Sequence, residues 1–91
     1  MRRMDVLDAV KVLEGPSRLI DISNKLEETW LHTFSTLASF RAAVHMKLKK
    51  LHREGMVSKI DVYWGITSKG ILQNRLDHLN SIIDMECDLN A

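Results

Sequence analysis

Residues 44–70 read VHMKLKKLHREGMVSKIDVYWGITSKG and contain two different periodicities. Apolar residues recur with helical spacing as far as Leu51, and Gly55 is a common type of residue at a helix end. The segments on either side of Asp61, MVSKI and VYWGIT, are rich in β-branched and aromatic residues and predict an antiparallel hairpin. Thr67 can then cap another helix. The stretch therefore predicts a helix, a hairpin and a second helix in succession.

The first of these helices begins before the quoted stretch. Ser35 or Thr36 can cap it, and we expect it to reach Glu54. Its apolar stripe consists of Phe40, Val44, Leu48 and Leu51. The opposite side is expected to carry Arg41, Ala42, His45, Lys49, Lys50, His52 and Arg53. The pattern predicts that core contacts and cations lie on separate sides of one helix.

Positive charge is concentrated in the same part of the chain. Residues 35–60 contain six Lys/Arg and one Asp/Glu, although the formal net charge of the whole chain is only +1. A basic region of this kind suits a polyanionic ligand. The alternative is a solvated helix face with no ligand, which is how most basic runs are used.

Two shorter helices are expected nearer the N-terminus. Apolar residues at helical spacing behind Asp5, a possible N-cap, predict a first helix that ends at Gly15-Pro16. A second helix is expected over about residues 20–28, and Leu19 can form a strand of one or two residues before it. Trp30 is expected to pack between helices, and the alternative is that it lines a small-molecule pocket.

The last helix carries a continuous apolar stripe. It is formed by Leu72, Leu76, Leu79, Ile83 and Cys87, which follow a 4-3-4-4 spacing. This stripe exceeds what a terminal helix needs to cover its own domain. We therefore expect it to form the interface of a two-fold homodimer.

Cys87 is the single cysteine of the chain. It cannot form a disulfide within one chain, and pairing of the last helices would bring two such thiols near the two-fold axis. An intersubunit disulfide is one interpretation, and a buried reduced thiol is the other.

The order helix, helix, basic helix, hairpin, helix resembles a winged helix-turn-helix domain. VHMKLKKLHREGMV is similar to the recognition helix of that family, and YWGITSKG is similar to its wing exit, with Ile66 in place of the usual leucine. The interval between the second and third helices is similar to that of PadR-type regulators and of small winged-helix proteins of archaeal viruses. The resemblance implies a mainly α fold with a small β-hairpin. Residues 1–70 would form the DNA-binding domain and residues 71–91 a C-terminal dimerisation helix.

The resemblance also implies a function: a sequence-specific, double-stranded DNA-binding transcriptional regulator. One basic helix per subunit of a homodimer would enter the major groove. The residues expected to contact DNA are Thr36, Ser39, Arg41, His45, Lys49, Lys50 and Lys59. Arg41 can bond guanine bidentately, whereas the lysines are expected to meet phosphates. Plain solvation of the helix is the alternative for each of them.

Other classes of protein are disfavoured by the sequence. We expect no membrane span and no secretory signal, and hence an intracellular location in the cytoplasm, the nucleoid or a host cytoplasm. The four histidines lack the spacing of a metal site, and no cofactor is expected. An enzyme is not expected either, because the sequence has no glycine-rich phosphate loop, no paired carboxylates in an apolar setting and no nucleophile with an evident base partner.

A second hypothesis is a winged-helix module that binds a protein component of transcription without reading bases. The short wing favours it, because Lys59 is its one cation and minor-groove insertion favours Arg or Lys.

Tyr63 and Trp64 could stack on bases, but alternation along the strand assigns Trp64, with Val62 and Ile66, to the core.

Overall fold

The computed structural model describes the backbone of residues 1–90 and the side chains of residues 1–83. Within that part the chain forms four α-helices and a three-stranded antiparallel sheet. In chain order the elements are α1 (Arg3–Val12), β1 (Ser17–Arg18), α2 (Leu19–Trp30), a 3-10 helix (Leu31–Thr33), α3 (Leu37–Arg53), β2 (Val57–Ile60), β3 (Tyr63–Ile66) and α4 (Ser68–Asn90). None of the helices in this range combines the length and apolar character that crossing a membrane requires.

The sheet contains one strand more than the predicted hairpin. Its order is β1-β3-β2, and Trp64 of β3 lies between Ser17 of β1 and Lys59 of β2. The short strand predicted at Leu19 is displaced by two residues, because Leu19 already belongs to α2 and the extended residues are Ser17 and Arg18. The hairpin itself is confirmed, and Asp61 makes its turn with a φ of 60°.

The helix starts show which residues satisfy the free backbone N–H groups. Thr36 caps α3 as predicted, since its hydroxyl accepts the N–H of Ser39 at 3.0 Å. Thr67 likewise accepts the N–H of Gly70 at 3.1 Å. The prediction that Asp5 is the N-cap of α1 is wrong: the helix begins at Arg3. The carboxylate of Asp5 instead reaches back from the first turn to the N–H of Arg2 at 2.7 Å.

The second helix is longer than predicted. It continues to Trp30 and is followed directly by the 3-10 helix, which closes with a hydrogen bond from Thr33 Oγ1 to the carbonyl of Trp30 at 2.7 Å. The extra turns take up the long interval before α3. Trp30 is half-buried against the core, in keeping with its predicted place between helices.

The core lies between α1, α2 and α3 and is closed by the sheet. Its fully buried members include Val6, Leu7, Val10, Ile22, Phe40, Val44, Leu48, Leu51 and Val57. Trp64 is 3% exposed, which confirms its assignment to the core, and Ile66 packs against it half-buried. The same assignment is wrong for Val62, which is 55% exposed because it lies in the hairpin turn beside Asp61.

The last helix docks on α1 through polar groups. Asn74 is buried, and its Nδ2 donates to Asp8 Oδ1 at 2.9 Å and to the carbonyl oxygen of Met4 at 3.4 Å. His78 Nε2 lies 2.8 Å from the same Asp8 oxygen. Asp77 accepts two hydrogen bonds from the Arg3 guanidinium, at 2.8 and 2.9 Å. Five large aliphatic side chains of the described part of α4 are therefore left on its outward side: Leu72, Leu76, Leu79, Ile82 and Ile83.

Gly70 allows the first turn of α4 to pack closely against the hairpin. A Cβ at this position would lie well inside van der Waals contact with the backbone carbonyl of Met56 and would also press on Ile66. Because the obstacle is backbone, we expect Gly70→Ala to lower the free energy of unfolding by about 2 kcal/mol. In an open helix the same change stabilises by about 1 kcal/mol. Urea denaturation followed by circular dichroism measures the difference.

Gly65→Ala is the matched control, since a Cβ there meets only Ser58 Oγ at 3.5 Å, an ordinary contact. Equal stability of the two alanine variants would contradict the close approach at Gly70.

The Arg3–Asp77 pair predicts a contribution to stability that depends on pH. The hydrogen bonds that the Asp77 carboxylate accepts from Arg3 hold the pKa of Asp77 below its ordinary value, which is about 3.9. The contribution is therefore present above about pH 3.9 and is lost as the pH falls through the lowered value. Because the Arg3 side chain is 41% exposed, we expect Asp77→Asn to cost only about 1 kcal/mol at pH 7.

Unfolding titrations at pH 7 and in the acid range test this expectation. Asp61→Asn is the control, because Asp61 is exposed in a turn whose left-handed backbone asparagine tolerates. Equal losses at pH 7 in the two variants would count against the pair.

Candidate nucleic-acid interface

One side of α3 is presented to solvent along its whole length. The buried residues of the helix are Phe40, Val44, Leu48 and Leu51. At about 100° per residue, positions 38, 42, 46, 49 and 53 lie on the side opposite to them. The side chains at all five positions are exposed. We name this set the outer face of α3; it consists of Ala38, Ala42, Met46, Lys49 and Arg53.

Arg41 and His45 do not belong to the outer face. They lie about 65° and 105° from the centre of the buried stripe, and both are half-buried. Arg41 Nε is shielded from solvent and has no hydrogen-bond partner among the residues that the structure describes. Their expected position on the side opposite the apolar stripe is therefore wrong, because the helix turns both side chains toward neighbouring protein. That either residue contacts DNA stays a prediction.

Trp64 organises the boundary between α3 and the hairpin. The rings of His45 and His52 meet it edge-on, with centroid distances of 6.1 and 6.2 Å. Lys59 Nζ lies 5.0 Å from the centroid of the indole, which is the range of a cation–π interaction. His52 Nδ1 also lies 3.1 Å from the carbonyl oxygen of Val57. These contacts place the charge of Lys59 on the side of the sheet that faces α3.

His45 is held in its neutral form by this setting. Burial lowers its pKa first, and the positive charges of Lys49 and Lys59 lower it further. Since the ordinary value is about 6.5, the imidazole is mainly uncharged at pH 7. The resulting contribution to stability is present above about pH 6.5 and is lost as the pH falls through the lowered value. Near neutral pH, His45 therefore adds little positive charge to the surface.

A cleft of about 390 Å³ lies between the C-terminal half of α3 and the hairpin. The Trp64 indole and side chains from both elements line it. The lining residues are Met46, Lys49, His52, Arg53, Lys59 and Trp64. Three of the six are cations, so the cleft favours an anion beside an apolar surface.

The remaining predicted contact residues lie at the edges of the outer face. Thr36 and Ser39 form the cap of α3, where the Thr36 hydroxyl donates to Ser39 Oγ at 2.9 Å and leaves the Ser39 hydroxyl hydrogen free for another acceptor. Lys50 is exposed on the other flank, next to a small cleft that it shares with Lys47 and Glu54. The fold thus brings Lys49 and Lys59 together and separates Lys50 from them.

Met46 was not among the residues predicted for the interface, yet it lies at the middle of the outer face. It is 63% exposed. The residues predicted to contact DNA are all charged or able to form hydrogen bonds, whereas the centre of this face is apolar. The signal that could have found Met46 is its position: it lies six residues after Phe40 and two before Leu48, and both of those are buried.

The predicted apolar stripe of α4 lies on the solvent side of the helix. Leu72, Leu76, Leu79 and Ile83 are between 44% and 59% exposed. Ile82, which sequence reasoning missed, is 53% exposed beside them. The predicted fifth member, Cys87, lies outside the described side chains, and so does its predicted disulfide.

Among the residues that the structure describes, His, Cys, Asp and Glu side chains do not gather in groups of three or more that could hold a metal ion.

No protein family, characterised protein or solved structure matches this chain with statistical significance. The chemistry of its surfaces is therefore the basis on which its function is inferred.

Proposed function

We propose that this protein is a winged-helix, sequence-specific double-stranded DNA-binding regulator of transcription that acts as a homodimer. The observation that carries the proposal is the outer face of α3, which is exposed along a helix of 17 residues. At 1.5 Å per residue this is about 25 Å of helix, and a major groove about 12 Å wide admits one such helix. The order of helices and strands supports the proposal, since it is consistent with a winged-helix topology. The protein would act where DNA is, in the cytoplasm or nucleoid of a cell or of a viral host.

The charges around the outer face suit the phosphates on either side of a groove. Lys49 and Arg53 belong to the face, and Lys59 joins them across the α3–hairpin cleft. Phosphate contacts of this kind supply most of the affinity and fix the position of a protein on the duplex. The single acid of the basic region, Glu54, is half-buried and lies on the flank of Lys47 rather than on the outer face.

Individual roles follow from position. Ser39 would reach base edges with its free hydroxyl hydrogen, and Thr36 would serve mainly as the cap that fixes the start of the helix. Arg41, half-buried on the flank, would contribute less than the guanine contact expected of it. The lysines at 49 and 59 would hold the backbone.

The homodimer is supported by the outward aliphatic side chains of α4. Leu72, Leu76, Leu79 and Ile83 alternate by four, three and four residues, which is the spacing of a helix–helix seam. Their exposure on a single chain would be unfavourable in water, and pairing with a second copy would bury all of them. Two recognition helices could then reach successive major grooves about 34 Å apart.

A second candidate function is a protein-interaction module of the transcription machinery. It is favoured by the apolar tip of the hairpin, where Ile60 is 75% exposed and Val62 is 55% exposed. Asp61 between them would be repelled by phosphates. A module of this kind would bind a protein through the hairpin or α4 and would have no measurable affinity for duplex DNA.

Salt dependence separates the two candidates. We expect fluorescently labelled duplex DNA to bind with an affinity that falls linearly in a plot of log K against log salt, by about 0.9 for each phosphate neutralised. Lys49→Ala should weaken binding to all sequences alike and reduce the slope by about one phosphate. Fluorescence anisotropy at several salt concentrations measures both quantities.

Lys47→Ala is the matched control, because it removes the same charge from the same helix on the opposite flank. A wild-type protein without affinity for duplex DNA at low salt would refute the proposed function. Equal effects of the two alanine variants on DNA binding would show that the outer face is not the surface that binds DNA.

The dimer predicts a second result. Leu79→Glu places a carboxylate in the middle of the α4 stripe, where burial against a partner would be prohibitive. We expect the variant to sediment as a monomer while the wild type sediments as a dimer, with reductant present so that Cys87 plays no part. Asn80→Glu adds the same charge at an exposed neighbouring position and should remain dimeric. A monomeric wild type would overturn the dimer without affecting the fold.

A further inference from the structure

The centre of the outer face of α3 is apolar, and its charges lie toward one end. Ala38, Ala42 and Met46 occupy successive turns, all exposed, and Lys49 and Arg53 follow them. Solvent-facing positions on a helix of a soluble protein usually carry polar side chains. Met46, which is 63% exposed on this face, is instead flexible, polarisable and apolar.

This composition selects among the features that a major groove displays. Guanine offers two acceptors and is read by Arg or Lys, and adenine is read by Asn or Gln. Ala42 and Met46 can satisfy none of these groups. Thymine presents the C5-methyl group, which small or apolar side chains contact. An apolar surface with cations at one end therefore matches a groove in which thymine methyl groups lie beside a row of phosphates.

We propose that Ala42 and Met46 read thymine methyl groups, so that each half-site carries thymines under the centre of α3. The inference rests on the proposed DNA-binding function and names the base that the helix recognises. The two side chains are four residues apart, about 6 Å along the helix. Base pairs are stacked about 3.4 Å apart, so the two contacts fall about two base pairs from each other. The short side chain of Ala42 lets the helix approach the groove floor, and Met46 extends to the next thymine.

The test begins with a duplex selected by the wild-type protein from a random pool. Each thymine of the half-site is then replaced singly by deoxyuridine, which removes only the C5-methyl group and keeps base pairing. We expect the Kd to rise about fourfold at each thymine that is read, the effect of uncovering one methyl group. The same duplexes are measured with Met46→Ala, a change at an exposed position that leaves the core intact.

Coupling between protein and base distinguishes reading from general weakening. At the thymine under Met46, deoxyuridine should cost the Met46→Ala variant much less than it costs the wild type, whereas the other thymine should cost both equally. Val12→Ala, which shortens an exposed apolar side chain on α1, should behave as the wild type on every duplex.

Selected half-sites without thymine, or deoxyuridine substitutions that change the Kd by less than twofold everywhere, would overturn the inference. Tight, salt-dependent binding would persist in that case, so the proposed function would stand. Absence of any duplex binding would instead refute both.

Discussion

Burial of one stripe of α3 is the constraint on which the rest of the structure depends. Phe40, Val44, Leu48 and Leu51 are almost completely removed from water, and each contributes about 1.5–3 kcal/mol of transfer free energy. The helix cannot rotate about its own axis without exposing them. This fixes which side chains face outward, and the exposed set of two alanines, a methionine and two cations follows from the inward one. A candidate binding surface is thereby held on a rigid element rather than on a loop.

Trp64 connects this helix to the hairpin. It is a core residue, yet its ring forms T-shaped contacts with His45 and His52, and Lys59 lies over it. One side chain thus sets the distance between α3 and the hairpin and also orients the hairpin's cation toward the helix. The neutral state of His45 has the same origin, since burial here and the two neighbouring lysines both disfavour its protonation.

The last helix shows the reverse of the usual amphipathic arrangement. Its inward side meets α1 through Asn74, Asp77 and His78, and its outward side carries leucine and isoleucine. Gly70 allows close approach to the hairpin at one end. Polar docking is directional and fixes the angle of the helix, and the outward apolar side is the surface on which the proposed homodimer rests.

The sequence by itself determined the helix over Leu37–Arg53, its Thr36 cap, the hairpin and the Thr67 start of α4, because each rests on local periodicity and turn chemistry. Lys49 and Lys59 were predicted as candidate DNA contacts because their places on the helix and the hairpin follow from the same local patterns. Only the tertiary structure decided that Arg41 and His45 turn toward protein, that Met46 faces outward, and that Ser17–Arg18 adds a third strand. These outcomes depend on what packs against each side of an element, and residues distant in the chain supply those neighbours.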